Sequence, residues 1–366
     1  MAGQPIPPVS QELAYAVVAA VRLLGPLRPD GVVGTEHLAV SLATRSMPWR
    51  TMVGSRLSGL KRGLRARPAE ERTADLPSIG SPADLEIDGL LREAAWLETR
   101  APNGRRPAVA ARWSVRARAA LHEAMNTAIG AGRPFCGVPD LSQVLLANRR
   151  LGVIDFLRAQ LVQPELSPVD EPETAWVPAV ASKRLSGLLG RPAPPAWSRL
   201  VHRLFGLADA YFATEMEANR QAVRLGDAQV TGAHLMLAVV SVAGQLDRAG
   251  IDPAEDPIGV RAAAAALRTC GLSYETLALA GARIDPVHRP DAPRAAQRGW
   301  RADPKGPSWT VAASGIAERA RTAAEPGALA MVRAGLAEDV AAPELVRRGG
   351  AQPEAILAAL DHHSSR

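Results

Sequence analysis

Between Ser10 and Leu24 the apolar side chains Leu13, Val17, Ala20, Val21 and Leu24 recur at three- and four-residue spacing, the rhythm that lines one face of an α-helix. Ser10 stands where an N-cap belongs, and Gly25-Pro26 where a helix stops. The pattern predicts one amphipathic helix here. After the loop LRPDGVVG it predicts a second helix from Thr35 to about Thr44 and a third from about Trp49 to Leu64.

The same order recurs further along the chain, as in a repeat architecture. Trp113-Ser114 opens a helix through Ile129, Gly130-Ala131-Gly132 breaks it, an apolar helix runs from Asp140 to about Asn148, and VIDFLRAQL follows at 153–161. Ser10 to Glu36 is 26 residues and Ser114 to Pro139 is 25, so the two units superpose almost without gaps. A third copy reads as helix and loop over 204–229, VTGAHLMLAVVS over 230–241, and a helix from Val260 to Thr269, with Ser273 capping a final turn or helix. In the fourth, Trp309-Thr310 opens a helix to Arg321, and more helices follow to the C-terminal end. No stretch carries a strand signal, so the expected class is all-α.

Proline and charge mark the joints. Residues 162–180, 284–308 and roughly 65–84 read as linkers or exposed loops, the last followed by the amphipathic helix DLEIDGLLREAAWLE. The expected organisation is one domain over 8–162, a Pro-rich linker over 163–182, and a more diverged domain over 183–361 that contains the long loop 284–308.

Composition narrows the classes. With 47% hydrophobic and 22% charged residues the 366-residue chain is an ordinary globular protein, and with only 4% aromatics its cores must be built from small aliphatic side chains. The net charge of +6 comes from 43 Lys plus Arg, mostly arginines scattered along the chain. No basic run is interleaved with aromatics, so nucleic acid is not an expected partner. Cys136 and Cys270 sit in different halves without metal-ligand spacing, implying neither a disulfide framework nor a zinc site. The segment MAGQPIPPVS lacks the pattern of a secretory leader, and no run approaches the roughly 18 apolar residues of a membrane span. A soluble cytoplasmic protein is the expectation.

Enzyme signatures are missing from the sequence. No Gly-Lys dipeptide occurs, so no P-loop can cradle a nucleotide, and neither HExxH, Gly-x-Ser-x-Gly nor GxGxxG is found. His122-Glu123 reads as a surface pair and His362-His363 as a solvated tail. No catalytic residue, cofactor or metal is expected.

The phrase VGTEHL at 33–38 is well made for a helix start. Thr35 is expected to N-cap the second helix, Glu36 suits the positive end of the helix dipole, and His37 is expected to be a packed or hydrogen-bonded structural histidine.

With Val9-Ser10, Trp113-Ser114 and Trp309-Thr310 at the opening caps, and with Gly34-Thr35-Glu36-His37-Leu38 echoed by Gly137-Val138-Pro139-Asp140-Leu141 and Thr231-Gly232-Ala233-His234-Leu235, the chain resembles the amino-terminal repeat domain of Clp-family unfoldases, twice over, without the ATPase. The resemblance implies a non-catalytic protein- or peptide-binding factor whose partners are a Clp unfoldase, its adaptors or its clients, acting as an accessory or a decoy. In some members the cap residue and the phrase's Glu line pockets for phosphorylated arginine. Carried over, the ligand-binding candidates are Ser10, Thr35, Glu36 and Ser114. Pro139 and Ala233 replace the Glu in the second and third units, so at most one such pocket is implied. The alternative is a structural or regulatory helical scaffold that has lost this binding.

Overall fold

In the computed structural model the described residues are 6–24, 31–66, 73–74, 76, 80–99, 111–160, 162–163, 211, 213–248, 256, 258–284, 307–324 and 327–364. Most of the expected linker over 163–182 and of the loop over 284–308 lies outside them. The chain divides into two compact units, Met1–Pro77 with Pro82–Trp176, and Ser78–Ser81 with Val177–Arg366. No helix among the described residues is long and apolar enough to cross a membrane.

Both units are helical. The first contains α1 (Gln11–Arg22), α2 (Thr35–Arg45), α3 (Met47–Val53), α4 (Leu57–Ala66), α5 (Pro82–Thr99), α6 (Val115–Gly130), α7 (Val138–Ala147) and α8 (Val153–Ala159). The second contains α9 (213–225), α10 (Gly232–Arg248), α11 (Val260–Thr269), α12 (Tyr274–Ala282), α13 (Val311–Thr322), α14 (Gly327–Glu338), α15 (Ala341–Arg348) and α16 (Pro353–Ser364).

Periodicity decided most of these elements. Leu13, Val17, Ala20 and Val21 are buried as expected, and the Ser10 Oγ accepts from Leu13 N at 3.2 Å. Ser114 caps α6 through Ala117 N at 3.0 Å, Ser273 caps α12 through Thr276 N at 3.2 Å, and Thr310 caps α13 through Ala313 N at 3.1 Å. Each such cap satisfies an otherwise orphaned backbone donor, a contribution of about 1 kcal/mol. The predicted third helix is instead two, α3 and α4, separated by a 3-10 turn at Gly54–Arg56. Gly54 adopts φ +53°, accessible to glycine without a Cβ clash. The apolar rhythm runs through the break unaltered, which is why the pattern alone does not reveal it.

The other departure from a purely helical reading is a set of two-residue parallel strands. β1 (Val32–Val33) pairs with β2 (Arg112–Trp113), and β3 (Gln229–Val230) with β4 (Ser308–Trp309). Each tie joins the segment before one helix to the segment before another some 80 residues on. Two residues leave no room for an alternating pattern, so no strand signal was available. Val9 also bridges to Cys136, with Ser10 N donating to Cys136 O at 2.9 Å and Cys136 N to Pro8 O at 3.0 Å.

Small side chains let the helices pack closely around α2, which touches α1, α3, α4, α6 and α8 and buries Leu38, Ala39, Val40, Leu42 and Ala43. The aromatics go to the middle. Trp49 and Trp113 are fully enclosed and their indole N–H groups donate to Ser142 Oγ at 2.6 Å and Leu91 O at 3.1 Å, satisfying the polar edge that burial would otherwise penalise. In the second unit α10 is buried along almost its whole length, and Trp309 donates to Asn219 Oδ1 at 3.1 Å.

Candidate ligand-binding site

The start of α2 is built from GTEH, but not as a threonine cap. Gly34 is the N-cap and Thr35 the first helical residue. The Gly34 N–H donates to His37 Nδ1 at 3.1 Å, so His37, three residues into the helix, reaches back to close the turn. That bond requires the neutral ring with its proton on Nε2. Thr35 is free of capping duty, and its hydroxyl donates across the unit to Leu151 O at 2.9 Å, with Glu36 Oε2 at 3.3 Å. The expected N-cap role of Thr35 is thus corrected: one step further along the chain its side chain meets the turn before α8 instead.

The four candidate residues differ sharply in access. Ser10 and Ser114 are 0% exposed and Thr35 1%. Glu36 is half-buried, and its Oε1 lies 4.0 Å from where a Cβ would stand on Gly152. The two serine hydroxyls are occupied as caps, so of the four candidates the most accessible is the half-buried Glu36 carboxylate.

Backbone bonding also sets who neighbours whom. Ser114 N donates to Val33 O at 3.0 Å, placing the α6 cap beside the VGTEH phrase, while Ser10 is tied to Cys136, just before the phrase of the second repeat. There the position of His37 is taken by Asp140, whose Oδ2 accepts from Gly137 N at 2.9 Å. Burial pushes the Asp140 carboxyl up from its ordinary range, against the lowering influence of the Gly137 N–H and of Arg133, whose Nε lies 3.4 Å from Asp140 Oδ1. In the second unit Thr231 N donates to His234 Nδ1 at 3.0 Å, the arrangement of Gly34 and His37 over again.

The second unit closes this end with its own acid. Asp339 Oδ2 accepts from Gly232 N at 2.9 Å, and Oδ1 accepts from Ala341 N at 2.8 Å and Ala342 N at 3.0 Å. One carboxylate therefore serves the N-termini of both α10 and α15, the partial positive ends of two helix dipoles. Glycine at 232 is required by proximity, because a Cβ there would stand 2.7 Å from Asp339 Cβ.

Two further polar clusters escaped the sequence reading. On α5 and α6, Asp88 is 0% exposed and takes Arg118 on both oxygens, at 2.7 and 2.8 Å, with His122 Nε2 at 3.2 Å. Burial raises the Asp88 pKa, but the bonds from His122 and Arg118 outweigh it and hold the carboxyl below its ordinary value. His122 is accordingly a partner of Asp88 rather than the surface pair expected with Glu123. Asp84, Asp88 and His122 bring ligand atoms within 4.8 Å of one another, a donor set whose positive charge Arg118 already supplies. The i,i+4 spacings 84/88 and 118/122 were the available signal. On α9, Glu217 Oε1 accepts from Arg220 at 2.8 Å, Gln221 at 2.6 Å and Ser241 at 2.6 Å, all buried.

No protein-family model matches the chain, and no curated protein or solved structure matches it at a significant level.

Proposed function

We propose that the chain is a non-catalytic protein- or peptide-binding factor, related to the substrate- and adaptor-binding domain of Clp unfoldases and working beside such an unfoldase as an accessory or as a decoy. The observation that carries this reading is the crossed tie in the first unit. Ser114 N bonds Val33 O and Ser10 N bonds Cys136 O, so each capped helix opens beside the phrase of the other repeat, and Glu36 is presented half-buried at that junction. A carboxylate held there suits a guanidinium or ammonium group of a protein ligand, phosphoarginine among them.

The test is binding of the whole chain to a purified Clp unfoldase, to its adaptors and to a phosphoarginine peptide, with Glu36→Ala compared at equal folding. Binding that is lost with Glu36→Ala at unchanged melting temperature supports the reading. A lowered melting temperature with unaltered affinity, or no binding by the wild type, removes it.

A scaffold role is favoured for the second unit by one specific observation. The acid of the phrase is Ala233 there, and Asp339 already fills the helix ends.

A further inference from the structure

Between Glu36 and Glu70 the chain carries seven arginines and lysines and not one aspartate or glutamate. Local structure turns that run outward. Trp49, Val53, Leu60 and Leu64 of α3 and α4 are buried, which leaves Arg45, Arg50, Arg56 and Arg62 exposed and Lys61 half-buried. The strip is braced from beneath: a Cβ on Gly63 would come within 2.9 Å of the Gln160 side chain at the end of α8.

These cations differ from the ion-paired arginines of the fold. Arg118, Arg220, Arg261 and Arg348 each hold a carboxylate. Among the described residues no carboxylate is in ion-pair contact with Arg45, Arg50, Arg56, Lys61 or Arg62, and the recorded partner of Arg50 is the Thr44 carbonyl at 2.8 Å. Beside them Met47 is 57% exposed. An anionic partner therefore meets little competition from the described carboxylates.

The side chains on the strip discriminate between anionic partners. Arginine and methionine are enriched in protein–protein interfaces and lysine is depleted, which matches four exposed arginines around Met47. Single-stranded nucleic acid wants aromatic platforms, and the aromatic of this stretch, Trp49, is enclosed in the core. We propose that the α3–α4 face is a docking surface for an acidic protein segment, which sets Asp or Glu carboxylates against Arg50, Arg56 and Arg62 and an apolar side chain against Met47. This names the partner chemistry of the first unit and rests on its reading as a protein-binding module. Each guanidinium offers a planar fork that a carboxylate can engage bidentately. Exposed pairs are individually weak and screened by salt, so the face works by summing several of them and by steering the encounter.

The experiment is fluorescence anisotropy of the full chain with a labelled peptide of repeated Asp-Glu-Leu units, at low and at near-physiological salt, with a generic DNA duplex as the second probe. The wild type binds the peptide, more weakly as salt rises. Together, Arg50→Glu, Arg56→Glu and Arg62→Glu lower its affinity at least about tenfold, and the milder Arg→Gln set lowers it about two- to fivefold per site, with helicity checked by circular dichroism. Arg268→Glu, an exposed site in the second unit, leaves binding unchanged, and a phosphoarginine peptide titrated in parallel reports the Glu36 junction separately from this face. Absence of peptide binding, or affinity that survives both the Glu and the Gln sets, overturns the proposal. So does tighter binding of the duplex that the same substitutions abolish.

Discussion

Thr35 and Leu151 are 116 positions apart in the chain, yet the hydroxyl of the first donates to the carbonyl of the second at 2.9 Å with both groups buried. The bond fastens the start of α2 to the turn that leads into α8. Thr35→Ala leaves a buried carbonyl without this donor and should cost about 1–2 kcal/mol. Thr35→Ser keeps the hydroxyl and should recover most of that loss. Urea unfolding of the three proteins checks it.

Arg118 and Asp88 give a second prediction. Asp88 is 0% exposed on the side chain and Arg118 27%, so removing the arginine strands a buried charge while part of the pair is already screened by solvent. Arg118→Ala should destabilise by roughly 2–4 kcal/mol. The Asp88 pKa is held down in the folded state, so its contribution is complete above the unfolded carboxylate pKa and lost as pH falls through the lower folded value. Unfolding midpoints of the wild type should therefore decline in acid more steeply than those of Arg118→Ala.

His234 acts in the same protonation sense, although here the favoured deprotonated form is the neutral one. It is buried, its Nδ1 accepts from Thr231 N, and its Nε2 stands 2.8 Å from Asp227 Oδ2, which makes the ring a neutral acceptor at one end and a donor at the other. Burial pushes its pKa down to about 4, against the raising influence of Asp339. The unfolded chain takes up the proton near pH 6.5 and the folded chain only near 4, so stability should be lost as pH falls through that window and be indifferent to His234 above it. Denaturant titrations across the window should show a slope that His234→Gln reduces.

Asp339 and Gly232 test the doubly used carboxylate. Asp339→Ala strips the acceptor from three backbone N–H groups at two helix ends and should cost on the order of 2–4 kcal/mol. Gly232→Ala drives a Cβ to 2.7 Å from Asp339 Cβ and should cost about 1–3 kcal/mol by overpacking. Because the two changes act on one contact, the double variant should lose less than the sum of the singles, as thermal unfolding would show.

Much of the helical inventory was legible in order because its determinants are local. Apolar residues at helical spacing, a serine or threonine before them and glycine or proline after them specify α1, α6 and α13 to within a few residues. The break at Gly54 was not legible, since the apolar rhythm continues across it. At the candidate site, the burial of His37 followed from its place before an apolar helix, but the partner of Thr35 did not. A threonine beside a helix start reads as a cap until the fold puts Leu151 within reach.

By itself, then, the order of residues determined the helical class and most caps, because each depends on contacts spanning a turn or two of chain. Tertiary structure alone decided the two-residue parallel ties, the bond from Thr35 to Leu151, the burial of Ser10 and Ser114 beside the opposite repeats, the service of Asp339 to two helix ends and the gathering of Arg118 and His122 on Asp88. Each of these joins groups from 30 to 126 positions apart. Neither partner carries a local signature of the other, so only the packing of the helices brings donor and acceptor within bonding distance.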